Sequence, residues 1–218
     1  MIEVAAVIVG AGSGTRFGGL KQFQQLGEKM VFDWSIIAAR SVAGFTVAVV
    51  PADYDGKLPT GADIVVNGGE SRSTSVRCGL AALPESAEIV IVHDAARPFA
   101  SGETFGAVVE AVRSGADAAV PGIAVPDTLA RSEGAEVARF VEREGLVALQ
   151  TPQAFSASIL RAAHEGDPDY SDDSGLVARA GGKVVLVKGD SRAFKITTPD
   201  DLVIANALAV SIEKGGSL

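Results

Sequence analysis

The chain has 218 residues, 47% of them hydrophobic, with 27 acidic against 19 basic side chains and a single cysteine, a composition that suits one domain built on a buried sheet. The net charge of −8 argues against a nucleic-acid groove, and the lone Cys78 excludes an internal disulfide framework. No apolar run is long enough to span a bilayer and Met1-Ile-Glu-Val lacks a basic start, so the expectation is a cytoplasmic protein with neither membrane nor nucleic-acid partners.

The first predicted element, Val4–Val9, is a short run rich in Val and Ile that reads as a buried parallel strand. It opens into Gly10-Ala-Gly-Ser-Gly-Thr-Arg-Phe-Gly-Gly19, with Lys21 just beyond. Glycines let backbone N–H groups approach phosphate oxygens, and Arg16 and Lys21 add positive charge at the same place. The loop therefore suits a nucleoside triphosphate; its plain alternative is a tight strand-to-helix turn. The dinucleotide fingerprint fails in both registers, because Thr15 or Phe17 stands where its third glycine belongs, and no Walker Gly-Lys-Ser/Thr follows. Asp33 has the spacing of a ribose-binding acid, yet its surroundings have helical apolar spacing.

Helical patterns and short apolar runs then alternate: a helix over 32–42, strands over 45–50 and 64–66, a helix over 74–83, a strand over 89–92, a helix over 104–114 and a strand over 118–121. Further on come helices over 156–163 and 173–180, a strand over 183–187 and a helix over 199–210, with Thr198 as N-cap and Pro199 behind it. This is the rhythm of βαβ units and a mostly parallel α/β sheet flanked by helices. Cys78, in the 74–83 helix, reads as a buried inert thiol. Residues 124–149 break the rhythm with two polar-apolar segments, Thr128-Leu-Ala-Arg131 and Ala138-Arg-Phe-Val-Glu-Arg143, which predict a protruding β-hairpin arm of the kind that reaches a partner.

Open parallel sheets bind ligands at the carboxyl ends of their strands. Three polar segments fall there: the glycine loop, Asn67-Gly-Gly-Glu-Ser-Arg-Ser-Thr-Ser75, and His93-Asp-Ala-Ala-Arg-Pro98. Gly68 and Gly69 allow close backbone approach, while Ser75 reads a base edge or, like Ser73, caps the following helix. Asp94 positions a magnesium ion or a substrate hydroxyl, or else forms an Asx cap. Of the two histidines, His93 reads as structural and His164 as surface.

Together these segments resemble the cytidylyltransferases that act on 2-C-methyl-D-erythritol 4-phosphate in the non-mevalonate isoprenoid pathway. The matching stretches are Gly10-Ala-Gly-Ser-Gly-Thr-Arg16, Lys21-Gln-Phe, Gly68-Gly69 with Arg72 and Ser75-Val76, Val92-His-Asp-Ala-Ala-Arg-Pro98, Asp127-Thr128 and Arg143. Gln150-Thr-Pro-Gln153, Ser171-Asp-Asp173 and Phe194-Lys-Ile-Thr197 before Pro199-Asp-Asp-Leu202 complete the resemblance, which spans nearly the whole chain. It implies a Rossmann-like core, a homodimer with interlocked arms, CTP as nucleotide, a sugar-alcohol phosphate as acceptor and Mg2+ as cofactor. Arg16, Lys21 and Lys195 would be the catalytic cations around the triphosphate. Gly10, Ala11, Gly12, Gly14, Gly69, Glu70 and Ser75 would bind CTP, with Asp94 and Ala95 beside ribose and metal. Mg2+ would be held mainly by CTP phosphates and water, with Asp94 as the protein ligand. Thr128, Arg143 and Thr151 would hold the sugar phosphate, with Arg97 nearby. The implied reaction is in-line attack of the acceptor phosphate on the α-phosphorus of CTP, releasing pyrophosphate.

The chain departs from the family pattern at Val9-Gly-Ala-Gly12, where Pro-Ala-Ala-Gly is usual, and the exchange is expected to leave that backbone less rigid. The interval from Arg16 to Lys21 is shorter than usual, and Leu20 replaces a proline. Other readings stay open: a cytidylyltransferase for another polyol phosphate such as ribitol 5-phosphate, a flavin or nicotinamide oxidoreductase built on Val-Ile-Val-Gly-Ala-Gly, and a nucleotide-binding module without catalysis.

Overall fold

In the computed structural model, which describes residues 2–166 and 168–215, the first apolar run forms strand β1 (Val4–Val9) inside the main sheet. Its side chains alternate between two cores. Val4, Ala6 and Ile8 pack with Phe32, Ile36 and Phe105 on one face, and Ala5 and Val7 with Val76, Leu80 and Phe155 on the other. A strand covered on both faces has no solvent side to make polar, which is why the run is apolar throughout.

The small hairpin of β2 (Gln25–Leu26) and β3 (Lys29–Met30) leads into helix α1 (Val31–Arg40), followed by β4 (Phe45–Val50), β5 (Ile64–Asn67) and α2 (Arg72–Ala81). Next come β6 (Ile89–Asp94), α3 (Gly102–Arg113) and β7 (Ala118–Ala124), then β8 (Leu129–Glu133) and β9 (Glu136–Val141). The chain ends with β10 (Val147–Leu149), β11 (Gln153–Ser156), α4 (Ala157–Ala163), α5 (Asp173–Arg179), β12 (Val184–Lys188) and α6 (Pro199–Glu213). Every element expected from the sequence is present, with its ends shifted by a few residues. Thr198 caps α6 as predicted, its side chain accepting from Asp201 N while Asp201 accepts from Thr198 N.

The main sheet runs β10-β7-β11-β6-β1-β4-β5, with β12 on the other edge of β7. Strands β1, β4, β5 and β6 are mutually parallel, as are β7 and β12, whereas β10 and β11 run antiparallel to β7. Neither antiparallel strand is among the predicted elements. The chain steps outward from β1 to β4 and β5, then returns to place β6 on the opposite side of β1. Strand order reverses there, and the paired ends Val9–Asp94, Val9–Val49 and Val50–Asn67 are level. Level carboxyl ends deliver their loops to one place.

Strands β8 and β9 form a separate two-stranded hairpin, turning at Gly134, with Val137 and Phe140 59% and 74% exposed. A hairpin forms within 124–149 but spans only Leu129–Glu133 and Glu136–Val141, because β10 returns to the edge of β7. Two further expectations are corrected. His164 is buried, not on the surface, and Cys78 is half-buried instead of enclosed.

Candidate active site

A cleft of about 620 Å3 opens over the carboxyl ends of β1, β4, β5 and β6. Its walls are the glycine loop, Pro51–Asp53 after β4, Gly68–Arg72 after β5, Asp94 at the end of β6, and Lys195. Arg16, Lys21, Arg72 and Lys195 face it against Asp53, Glu70 and Asp94, so the cleft concentrates cations in a chain whose net charge is −8.

The glycine loop is held tightly at its base. Gly10 N donates to Val49 O at 2.8 Å, and the buried side chain of Gln22 donates to Gly10 O at 2.6 Å and Gly12 O at 3.1 Å. Gly10 also abuts the ring of Phe32, where a β-carbon would lie 2.1 Å from Cε2. The looseness expected of Val9-Gly-Ala-Gly12 is thus absent: the missing methyl group is replaced by an aromatic ring. Gly14, at φ 67°, turns the loop back so that Phe17 and Gly18 amides donate to its carbonyl. Gly12 has open space beyond it, leaving the backbone free to approach a ligand.

After β5, Ser71 caps α2 by accepting from Thr74 N at 3.1 Å, so neither Ser73 nor Ser75 serves as the cap. Ser75 Oγ instead donates to Ser71 O at 2.9 Å and accepts from Gly69 N at 3.2 Å, fixing the turn that presents Gly69 and Glu70 to the cleft. Lys195 is brought in by one backbone and one side-chain hydrogen bond: Ile196 N donates to Ala96 O at 2.8 Å, and the Arg97 guanidinium Nη1 to Ala193 O at 2.8 Å.

Asp94 lies between two cations. Arg72 Nε is 3.3 Å from Oδ1 and Lys195 Nζ 2.6 Å from Oδ2, an arrangement that replaces the Asx cap. Burial alone would raise its carboxyl, but Arg72 and then Lys195 more than reverse this and hold it well below the usual carboxylate range. Burial pushes Lys21 below an ordinary lysine, helped by Lys195 and then Arg16. Behind Asp94, its amide donates to Thr151 Oγ1 at 3.0 Å, and that hydroxyl lies 3.0 Å from His93 Nδ1. Burial lowers His93 to about 3, so the ring is neutral. Its Nε2 faces the Arg97 carbonyl at 3.2 Å, which can only accept. The proton is therefore on Nε2 and Nδ1 accepts from Thr151, so both ring nitrogens of His93 are paired. His93 is structural, as its sequence suggested.

The model of the 2-C-methyl-D-erythritol 4-phosphate cytidylyltransferase family matches residues 4–211. The chain belongs to this family. It is 43% identical over 215 residues to the Thermus thermophilus protein of that name, covering 95% of this chain and 98% of the relative. Identity to the Deinococcus radiodurans protein of that name is 41% over 219 residues, covering 98% of this chain and 92% of the relative. A crystal structure of the Thermus thermophilus enzyme superposes with a TM-score of 0.82 at 37% identity, covering 96% of this chain and 98% of that one.

Within this family member, the cleft gathers Arg16, Lys21, Lys195, Gly10, Ala11, Gly12, Gly14, Gly69, Glu70, Ser75 and Asp94. Ala95 is fully buried, its amide donating to Val9 O and its carbonyl accepting from Ser35. Thr151 lies behind Asp94, outside the lining, and Arg97 reaches away to Ala193. Thr128 and Arg143 are exposed at the root of the hairpin, where Arg143 donates to Pro126 O. Sequence reading gave no role to Gln22, Arg72 or Asp173, all of which the structure ties to the cleft. All three lie in stretches matched by the family resemblance, Lys21-Gln-Phe, Gly68-Gly69 with Arg72, and Ser171-Asp-Asp173, which gave them no individual role.

No helix among the described residues is long and apolar enough to cross a membrane. Among those residues there is also no group of three or more His, Cys, Asp or Glu side chains able to hold a metal. Asp94 is the single carboxylate at the base of the cleft, and both its oxygens are engaged. That donor set suits an ion that arrives on a nucleotide and keeps most of its water and phosphate ligands.

Proposed function

We propose that this enzyme transfers CMP from CTP to 2-C-methyl-D-erythritol 4-phosphate, giving 4-diphosphocytidyl-2-C-methyl-D-erythritol and pyrophosphate. The observation that carries the reading is the convergence of Arg16, Lys21 and Lys195 with the glycine-loop backbone in one cleft at the strand-order reversal. A triphosphate needs that density of cations and amides, and a dinucleotide cofactor does not.

The chemistry follows from the charges. A phosphate oxygen of the acceptor bonds to the α-phosphorus as the bond to the β-phosphate oxygen breaks, and no covalent enzyme intermediate is needed. Two anions must be brought together, so the protein's work is positioning and offsetting repulsion. Arg16 and Lys21 meet the charge that grows on the α-phosphoryl oxygens and the departing pyrophosphate. Lys195, held by Asp94 until phosphate competes for it, bridges nucleotide and acceptor. Glu70 and the turn braced by the hydrogen bond between Gly69 and Ser75 face the cytosine edge, where a base with the wrong donors would pair poorly. Bound Mg2+ would neutralise triphosphate charge, with Asp94 as the one protein oxygen ligand.

We further propose a homodimer in which the hairpin of one copy brings Thr128 and Arg143 to the acceptor phosphate in the other. The strongly exposed Val137 and Phe140 side chains, and an Arg143 outside its own cleft lining, support this reading. Incubating the purified protein with CTP, methylerythritol phosphate and Mg2+ tests the assignment: pyrophosphate and a CMP-bearing product should appear together. Pyrophosphate without that product, or neither, would contradict it.

A further inference from the structure

A line of charges leads from the half-exposed cleft into the interior, beyond any group that the transfer reaction touches. Lys195 and Arg72 hold the two oxygens of Asp94, and Arg72 Nη1 donates onward to Asp173 Oδ2 at 2.6 Å. The other oxygen of Asp173 accepts from His164 Nε2 at 3.0 Å. The side chains of Asp173 and His164 are 2% and 3% exposed. Since a carboxylate with no proton can only accept, His164 carries its proton on Nε2. Burial would raise the Asp173 carboxyl, but the His164 and Arg72 contacts outweigh it and keep the group ionised.

A carboxylate in the first turn of α5 suits the helix dipole, but that accounts for neither of the partners Asp173 takes. It stands at the first position of α5, but the cap is Asp172, which accepts from Gly175 N. Both hydrogen bonds of Asp173 go instead to other elements: Arg72 opens α2, and His164 closes α4. Arg72 is itself in an unfavourable place, because the first turn of a helix repels cations. What keeps it there is a carboxylate at each end, Asp94 on the cleft side and Asp173 behind. With Asp173 neutral, Arg72 would be free to close fully on Asp94 and displace Lys195 from its second oxygen.

We propose that Asp173 is a positioning residue for the transfer reaction: through Arg72 it fixes Asp94, and with it the place of Lys195 in the cleft. The inference rests on the cytidylyl-transfer reading above and adds a residue that touches neither substrate. Asp173→Asn keeps the shape and removes the charge. The expected result is a kcat lower by about 10-fold to 100-fold, the scale of a small misplacement of reacting groups, with KM for CTP little changed because the glycine loop is untouched. Asp173→Glu should recover most of the loss. In an Arg72→Gln background, Asp173→Asn should add almost nothing, since residues acting through one contact are not additive.

A merely structural Asp173 would lower the melting temperature and leave kcat per folded molecule as it was, which overturns the inference. Should Asp173→Asn not fold, His164→Gln loosens the same carboxylate while keeping its charge, and must reduce kcat in smaller measure; an unchanged kcat there is equally fatal. A native chain that releases no pyrophosphate from CTP and methylerythritol phosphate brings down the proposed function and this inference with it. An active native enzyme with unaffected variants refutes the inference alone.

Discussion

Replacing Gly10 by alanine would put a methyl group into space that is already filled. The new β-carbon would lie 2.1 Å from Phe32 Cε2 and 2.9 Å from Cδ2 and Cζ, where carbon contacts are comfortable at about 3.5–4.0 Å. Phe32 is fully buried and packed beside Phe23, with ring centroids 6.0 Å apart, so it has no solvent to swing into. The loop base must lift instead, against the hydrogen bonds of Gly10 to Val49 and Gln22. Overpacking of this kind costs about 1–3 kcal/mol, a drop in melting temperature of about 2–12 °C for a chain of this length. Lifting Gly10 also displaces the amides of the loop, so KM for CTP should rise while kcat at saturation stays near native. Calorimetry with steady-state kinetics measures both, and Gly10→Ala with Phe32→Leu should regain part of the stability. A Gly10→Ala protein with native melting temperature and native KM would refute the claim that Phe32 holds the loop.

If Arg16 and Lys21 meet charge that develops in the transition state, Arg16→Ala and Lys21→Ala should each lower kcat by roughly 100-fold to 1000-fold, about 3–4 kcal/mol, with a smaller change in KM; an unchanged kcat in both would make them peripheral. Burial, then Lys195 and Arg16, hold Lys21 below an ordinary lysine, so kcat/KM for CTP should fall on the alkaline side at a pH below the usual lysine range. The triphosphate's negative charge restores the proton, so the corresponding limb in kcat should lie higher, and Lys21→Arg should remove the limb from kcat/KM. Mixing Arg16→Ala subunits with Arg143→Ala subunits should restore part of the activity, because one site in each mixed dimer receives an intact core and an intact arm; confirmed mixed dimers that stay inactive would place the arm on its own subunit.

The core of the fold was legible because its strands are buried on both faces. Val4–Val9, Phe45–Val50 and Ile89–Val92 are short, continuous and apolar, and the loops at their carboxyl ends are conspicuous for glycine and charge. The antiparallel strand Gln153–Ser156 was not legible, since four residues are too few to show a periodicity. Gln150-Thr-Pro-Gln153 could be matched only by resemblance. In the structure Gln150 binds the backbone of Asp190, Thr151 the amide of Asp94 and Gln153 the side chain of Asp172, partners up to 57 residues away. His164 was misread for the same reason: a histidine followed by Glu165 and Gly166 looks solvent-facing until α5 folds over and supplies Asp173. Contacts between side chains distant in sequence leave no local pattern, and this site is braced by such contacts.

Pyrophosphate release should be measured with each of CTP, UTP, ATP and GTP, against methylerythritol phosphate and ribitol 5-phosphate in the presence of Mg2+. Turnover with CTP and methylerythritol phosphate should lie well above that with every other pair. Equal or faster turnover with ATP, or with ribitol 5-phosphate as acceptor, would contradict the proposed function.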